Sequence, residues 1–320
     1  MTGTLQGKRL PARQTAPNTA ERRGPLRRLF DGPTPWLIPS ILVLIAVSIY
    51  PLIFAVVNSF RFYNLGVSPE PRGFIGFDHY ADALTSESFM RALGQTLVFC
   101  TTVTAVETVL GVLLALLLRE KLVGTSLARA LFIMPVAIAP TVAGLAFRSM
   151  YANNTGLIPN LLGLVGIDVP REGILGSPST AFTAVMITDI WQWTPFVALI
   201  VLAAMQGVPE DVVEAARLDG AGSVRILWFV TLPLISAALV TVALLRFIQS
   251  FNVFDIIYVE TRGGPAGSTS TIGMEIFFAG LNNYNIGYAS ALTMLASIIV
   301  GIFVNVYFIA SNRKSNPANA

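Results

Sequence analysis

The sequence predicts an all-α, polytopic membrane protein with six transmembrane helices. Of its 320 residues, 54% are hydrophobic and only 12% are charged, and the mean hydropathy is +0.67. Soluble domains carry about 25% charged residues. So much apolar surface with so few charges fits a chain whose outer surface faces lipid.

Six stretches are apolar enough to cross a bilayer, because a spanning helix needs about 20 predominantly apolar residues. The predicted spans are residues 36–60, 93–118, 127–150, 181–205, 228–251 and 286–310. The first is too long and starts too far into the chain for a signal peptide, so we interpret it as an uncleaved anchor.

The distribution of Lys and Arg predicts the orientation. With the N-terminus inside, the inside segments hold 14 of the 21 basic residues and the outside segments hold five. Both termini are therefore predicted to be cytoplasmic. We expect a basic, disordered cytoplasmic tail at 1–35, a membrane domain at 36–312 and a short cytoplasmic tail at 313–320.

The sequence lacks the motifs of the common catalytic sites. The only Gly-Lys pair, Gly7-Lys8, is not part of a phosphate-binding loop, and neither a nucleophile elbow nor a His-Glu-x-x-His motif is present. Cys100 and His79 are the only residues of their types, which makes a metal cage improbable. We expect that the chain is not an enzyme and binds neither metal nor cofactor.

The loop between the fourth and fifth predicted spans contains a short helix, at about 209–219. Pro209 suits a first helical position, and Gly220 suits a left-handed stop. One face of this helix carries Val212, Ala215, Ala216 and Asp219. The small side chains would let another surface approach closely, although a solvated connector helix without a partner has the same pattern.

The same loop resembles the signature of the inner-membrane permease subunits of binding-protein-dependent ABC importers. That signature is Glu-Ala-Ala, three residues, Gly, nine residues, an aliphatic residue, one residue and Leu-Pro. Here it is Glu214-Ala215-Ala216, Gly220, Val230 and Leu232-Pro233, with Val230 where Ile is typical. Residues 74–80 and the Gly263-Gly264-Pro265 segment resemble the carbohydrate branch, which includes maltose and glycerol-3-phosphate permeases.

The resemblance implies a type I ABC importer permease fold in the bacterial inner membrane, and it implies several partners. These are a second related permease, two ATPase subunits that bind ATP and Mg, and an extracytoplasmic binding protein that delivers a carbohydrate. It assigns ATPase coupling to the loop helix and its flank. The coupling residues would be Glu214, Ala215, Ala216, Asp219, Gly220, Leu232 and Pro233.

Ionisable residues within spans are costly, and they are therefore candidates for function. Asp189 and Arg246 lie at similar predicted depths and head two stripes with helical spacing. These stripes, Asp189, Gln192, Trp193 and Phe196 and then Arg246, Gln249, Ser250 and Val253, would bind the carbohydrate. Aromatic rings would cover its CH groups, and polar groups would bond its hydroxyls.

Alternatives remain at this stage. Asp189 and Arg246 could be a buried ion pair that only joins helices. Glu107 has no evident partner and is expected to be structural or to face a partner subunit. The chain could instead carry glycerol phosphate or another polyol, with Arg246 as the charge partner. An autonomous ion-coupled carrier and a membrane scaffold without a pathway are further possibilities.

Overall fold

The computed structural model describes residues 34–119 and 125–315, and within them the protein is helical, with two isolated bridges and no strand. The predicted tails at 1–35 and 313–320 lie almost wholly outside these residues. The helices are α1 (Thr34–Leu44), α2 (Tyr50–Ser59), α3 (Asp78–Thr85), α4 (Glu87–Arg119), α5 (Thr125–Ala137), α6 (Pro140–Met150), α7 (Leu157–Leu164), α8 (Pro178–Gln206), α9 (Glu210–Leu218), α10 (Ser223–Ile226), α11 (Leu232–Leu234), α12 (Ser236–Phe251), α13 (Asp255–Glu260), α14 (Ile272–Phe277) and α15 (Ile286–Ser315).

The chain divides into two compact units. The first, Met1–Ile53, contains α1, the π-helical segment Ile45–Ile49 and the start of α2. The second, Phe54–Ala320, contains the remaining helices and two more π-helical segments, Leu227–Thr231 and Phe278–Asn282.

Four helices among the described residues have the length and composition of membrane spans. They are Trp36–Ser59, Glu87–Arg119, Pro178–Gln206 and Ile286–Tyr307. The third and fifth predicted spans are bent pairs instead: Ala130–Ala137 with Pro140–Met150 at 104°, and Ser223–Leu234 with Ser236–Phe251 at 70°. Each bent pair is either one interrupted span or a re-entrant segment, so the count of six stays a prediction.

Proline explains the first break. Pro140 begins α6, and Ala139 before it is extended, with φ −60° and ψ 137°, as expected for a residue that precedes proline. Pro135 and Pro195, in contrast, lie inside α5 and α8 without interrupting them. At the second break, Ile235 leaves the helical conformation with φ −93° and ψ 6°.

Helices α4 and α8 pack closely along each other. A Cβ atom on Gly111 of α4 would lie 2.6 Å from Cγ1 of Val197 in α8, so the two backbones approach at this point as only glycine allows. Beyond the contact, an apolar cluster connects α4, α8, α9, α10 and α12. Its buried members are Ala115, Leu118, Val197, Val201, Leu202, Met205, Val208, Val213, Ile226, Ile235 and Val242.

The opposite end of the bundle is held by its loops. The amide of Gln95 on α4 donates to the carbonyls of Gly267 and Ser268, at 3.1 and 3.0 Å. His79 of α3 is buried, and its Nε2 lies 3.2 Å from the carbonyl oxygen of Arg61. These bonds fix the loops over the ends of α4 and α15.

Candidate functional site

Arg246 of α12 lies at the centre of a buried ion cluster. Its Nε and Nη2 donate to the two carboxylate oxygens of Glu107 in α4, at 2.6 and 2.9 Å. Nη2 also donates to Oδ2 of Asp189 in α8, at 2.8 Å. The side chains of all three residues are at most 4% exposed, so one guanidinium joins three helices.

The pairing of Asp189 with Arg246 is as expected, but the expectation that Glu107 lacks a partner was wrong. Glu107 forms the bidentate contact, which is the stronger geometry for an Arg–carboxylate pair. The sequence contains no direct signal for this pair because 139 positions separate the two residues. We call Glu107, Asp189 and Arg246 the ion triad.

A cavity of about 280 Å³ opens beside the ion triad. Asp189 and Arg246 line it, Trp193 lies with its ring centroid 4.7 Å from Cζ of Arg246, and Gln249 accepts a hydrogen bond of 3.0 Å from Nη1. The full lining comprises Pro140, Asp189, Trp193, Arg246, Gln249, Asn252, Val253, Phe254, Asp255 and Ile256. This combination of rings, amides and carboxylates is suited to a polyhydroxylated ligand.

Three of the predicted ligand-binding residues lie outside this lining. Gln192 is buried, and its amide donates to the carbonyl oxygen of Ile138 at 2.8 Å, which fastens the break between α5 and α6 to α8. Phe196 stacks edge-on against Trp193. The Ser250 hydroxyl donates back to the carbonyl of Arg246 at 2.8 Å. Their role in ligand binding stays a prediction.

Several lining residues were not proposed from the sequence. Asn252 and Asp255 follow α12 directly, where the chain turns into α13. Neither residue is among the eight predicted to bind the carbohydrate. A stripe with helical spacing through 246, 249, 250 and 253 passes over both positions.

The short helix α9 forms a second candidate site. Val213 is buried in the apolar cluster, whereas Glu214 and Ala215 are exposed and Leu218 is 89% exposed. Ala216 is half-buried against the same cluster, so the predicted outward face is correct at Ala215 and only partly correct at Ala216. The helix begins at Glu210, which makes Pro209 the N-cap instead of the first helical residue.

Helix α9 ends at the left-handed position that Gly220 predicts. Gly220 has φ +80°. Its N–H donates to the carbonyl of Arg217, and the N–H of Ala221 donates to the carbonyl of Ala216, both at 3.0 Å. This is the Schellman arrangement, which fixes where the helix stops.

The remaining predicted coupling residues follow α10. Leu232 is half-buried against the apolar cluster, and Pro233 is exposed. Asp219 is also exposed, at the C-cap of α9. Residues 209–220 therefore form a short helix with a largely exposed surface, held to the apolar cluster by the buried side chain of Val213.

Groups that could hold a metal ion were also sought. Across 34–119 and 125–315, no set of three or more His, Cys, Asp or Glu side chains is placed to do so. The ion triad has only two carboxylates, and a guanidinium already occupies the space between them.

The sequence is similar to known transport proteins along most of its length. Residues 107–314 match the family described as the binding-protein-dependent transport system inner membrane component. The trehalose/maltose transport system permease protein MalF of Thermococcus litoralis is 36% identical over 73% of this chain and 78% of its own length. The trehalose transport system permease protein SugA of Mycobacterium tuberculosis is 33% identical over 84% of this chain and 86% of its own.

The fold is also found among solved structures. A chain of a bacterial ABC transporter involved in the import of the acidic polysaccharide alginate superimposes with a TM-score of 0.78, over 90% of this chain and 97% of that one, at 22% identity. At that identity the likeness establishes the fold alone. The family match and the two relatives establish more: this chain is a member of the inner-membrane permease family of binding-protein-dependent ABC transport systems.

Proposed function

We propose that this chain is one permease subunit of an ATP-driven carbohydrate importer in a bacterial cytoplasmic membrane. It would form half of the translocation pathway, beside a second related permease. Two ATPase subunits would hydrolyse ATP on the cytoplasmic side, and an extracytoplasmic protein would deliver the sugar. Both termini would be cytoplasmic, as the distribution of Lys and Arg indicates.

The observation that carries the proposal is the construction of α9. A helix with a buried anchor at Val213, an exposed charge at Glu214 and a fixed C-terminal stop at Gly220 can transmit displacement better than a flexible loop. An exposed Leu218 beside that charge offers an apolar contact to a partner. We infer that the ATPase docks on this surface.

The cavity beside the ion triad supports the carbohydrate assignment. Its volume of about 280 Å³ can hold part of a ligand of one or two sugar rings. The partner permease would supply the rest of the cavity wall. The two relatives are named for trehalose and maltose, which are neutral disaccharides, whereas the structural neighbour imports an acidic polysaccharide.

Docking can be tested with one charge reversal and a matched control. Glu214→Lys should reduce co-purification of the ATPase by about tenfold or more, since reversing a charge in an interface leaves its partner unpaired. Glu172→Lys makes the same change on an exposed glutamate in the loop between α7 and α8, and should leave co-purification normal. Equal ATPase recovery for both variants, with both inserted in the membrane, would reject the docking role.

The dependence on ATP is tested separately. Vesicles that contain the assembled permease pair and the binding protein should accumulate sugar only when the ATPase subunits and ATP are present. Accumulation by the permeases without an ATPase, driven by an ion gradient, would instead favour the autonomous carrier.

A further inference from the structure

The ion triad leaves almost no free hydrogen-bonding capacity on Arg246. A guanidinium has five N–H donors. Nε is used by Glu107, both Nη2 hydrogens are used by Glu107 and Asp189, and one Nη1 hydrogen is used by Gln249. One N–H remains, and the Trp193 ring lies against the guanidinium at 4.7 Å.

An arginine that recognises a carboxylate or a phosphate frequently does so through two parallel N–H groups. Arg246 already makes that bidentate contact with Glu107, and it cannot make it again without giving up a buried ion pair. The hypothesis from the sequence that Arg246 could serve as the charge partner of a phosphorylated ligand therefore has only one free N–H to rely on.

The charges around the cavity also oppose an anion. Arg246 is the one cation among the described residues that line the cavity, while Asp189 and the exposed Asp255 both line it and Glu107 lies behind it. Three carboxyl groups thus lie in or behind a lining that holds one guanidinium. A ligand that carries a negative charge would add repulsion with these groups at short range.

We propose that the ion triad makes this pathway selective for neutral carbohydrates. Glu107 is then a specificity-determining positioning residue, because its ion pair with Arg246 uses the charge and the N–H groups that an anionic ligand would need. The inference rests on the proposed function and goes beyond it by naming the charge class of the substrate. It places uronates and sugar phosphates outside the substrate range of this chain, although they contain the same hydroxyl pattern.

The test measures the permease cavity without the selectivity of the binding protein. The assembled importer, in lipid nanodiscs and without its binding protein, is titrated with a neutral disaccharide and with the same disaccharide in which one primary alcohol is oxidised to a carboxylate. Ligand-observed saturation-transfer NMR detects weak binding of each. The importer with the natural sequence should bind the carboxylate form at least about tenfold more weakly, as one uncompensated charge predicts.

Two variants then test the cause. Glu107→Gln removes a negative charge and releases donors of Arg246, and Asp255→Asn removes a negative charge at an exposed position where folding is not at risk. Both should bring the ratio of the two affinities closer to one. Glu172→Gln makes the same change at an exposed glutamate that does not line the cavity, and should leave the ratio as it is.

Each outcome decides something. Equal binding of the two ligands to the natural importer would overturn the inference while leaving the cavity as a carbohydrate site. A preference that neither Glu107→Gln nor Asp255→Asn changes would also overturn it, because the discrimination would then be steric. Binding of neither ligand would overturn the cavity of the proposed function and this inference with it. If Glu107→Gln does not assemble, Asp255→Asn decides alone.

Discussion

Arg246 and Glu107 form a bidentate ion pair between α12 and α4, with N–O distances of 2.6 and 2.9 Å and with both side chains at most 1% exposed. Removing one partner of a buried pair leaves an uncompensated charge, whereas replacing the whole pair can be nearly neutral. The two residues should therefore respond to substitution as a unit and not independently.

The first prediction follows from that coupling. Arg246→Met should lower the stability of the folded chain strongly, by about 3–5 kcal/mol, because Glu107 and Asp189 would then repel each other. Adding Glu107→Gln to Arg246→Met should recover part of the loss. Thermal unfolding of the detergent-solubilised importer, followed by intrinsic fluorescence, measures both. A double variant less stable than Arg246→Met would contradict a compensating pair.

The second prediction separates two neighbours on α8. Trp193→Ala should weaken sugar binding to the assembled importer, because Trp193 lines the cavity. Gln192→Ala should instead lower the melting temperature with little change in the relative affinities for different sugars, since its amide bonds the carbonyl of Ile138 at the break between α5 and α6. Calorimetric titration and thermal melting of both variants provide the comparison. A changed sugar preference in Gln192→Ala would restore Gln192 as a ligand contact.

The third prediction concerns the approach of α4 to α8. Gly111→Ala would place a Cβ atom 2.6 Å from Cγ1 of Val197, and overpacking of this kind costs typically about 1–3 kcal/mol. Gly94→Ala is the matched control on the same helix, because a Cβ atom there meets no other atom within 4 Å. Melting temperatures should fall for Gly111→Ala and not for Gly94→Ala. Val197→Ala should restore stability to the first variant only.

The fourth prediction is a pH dependence. Glu260 at the end of α13 is 4% exposed, and neither carboxylate oxygen makes a well-formed hydrogen bond with the described residues. Burial raises the pKa of Glu260 from 4.5 to about 8, although the neighbouring Thr188 hydroxyl partly opposes the rise. Between pH 4.5 and about 8, the carboxyl group of Glu260 is therefore protonated in the folded protein and ionised in the unfolded chain.

Stability should consequently fall as the pH rises from about 4.5 to about 8 and level off above that. Glu260→Gln cannot ionise and should not lose stability in this way. Its melting temperature should therefore rise relative to that of the natural protein as the pH increases across the same interval. Glu172→Gln, at an exposed position, should follow the natural protein. A constant difference between the Glu260→Gln and natural proteins at every pH would contradict the assignment.

Local patterns were sufficient to predict much of the fold. The apolar window at 181–205 predicts α8, Pro178–Gln206, within three residues at either end, and Gly220 predicts the stop of α9 at its left-handed position. Both features depend on neighbours in the chain. Local patterns could not show which proline interrupts a span, because Pro135, Pro140 and Pro195 look alike in sequence and only Pro140 among them begins a new helix.

The site was predictable only in part, for a different reason. Asp189 and Arg246 stand out because a charge within a span is costly anywhere. Glu107 was equally conspicuous, yet its partner depends on the rotation of α4 against α12, which no spacing within either helix specifies. Gln192 follows the cavity residue Asp189 by one helical turn, and spacing alone could not show that its amide bonds the carbonyl of Ile138.

The apolar cluster under α9 has a mechanical consequence. Each helix that contributes to the ion triad also contributes to the cluster: α4 through Ala115, α8 through Val197 and Val201, and α12 through Val242. Because close-packed interiors transmit strain instead of absorbing it, a load applied at Val213 reaches all three helices within about two turns of the guanidinium. If the ATPase docks on α9 as we propose, a displacement of that helix would therefore also shift the helices that carry the ion triad.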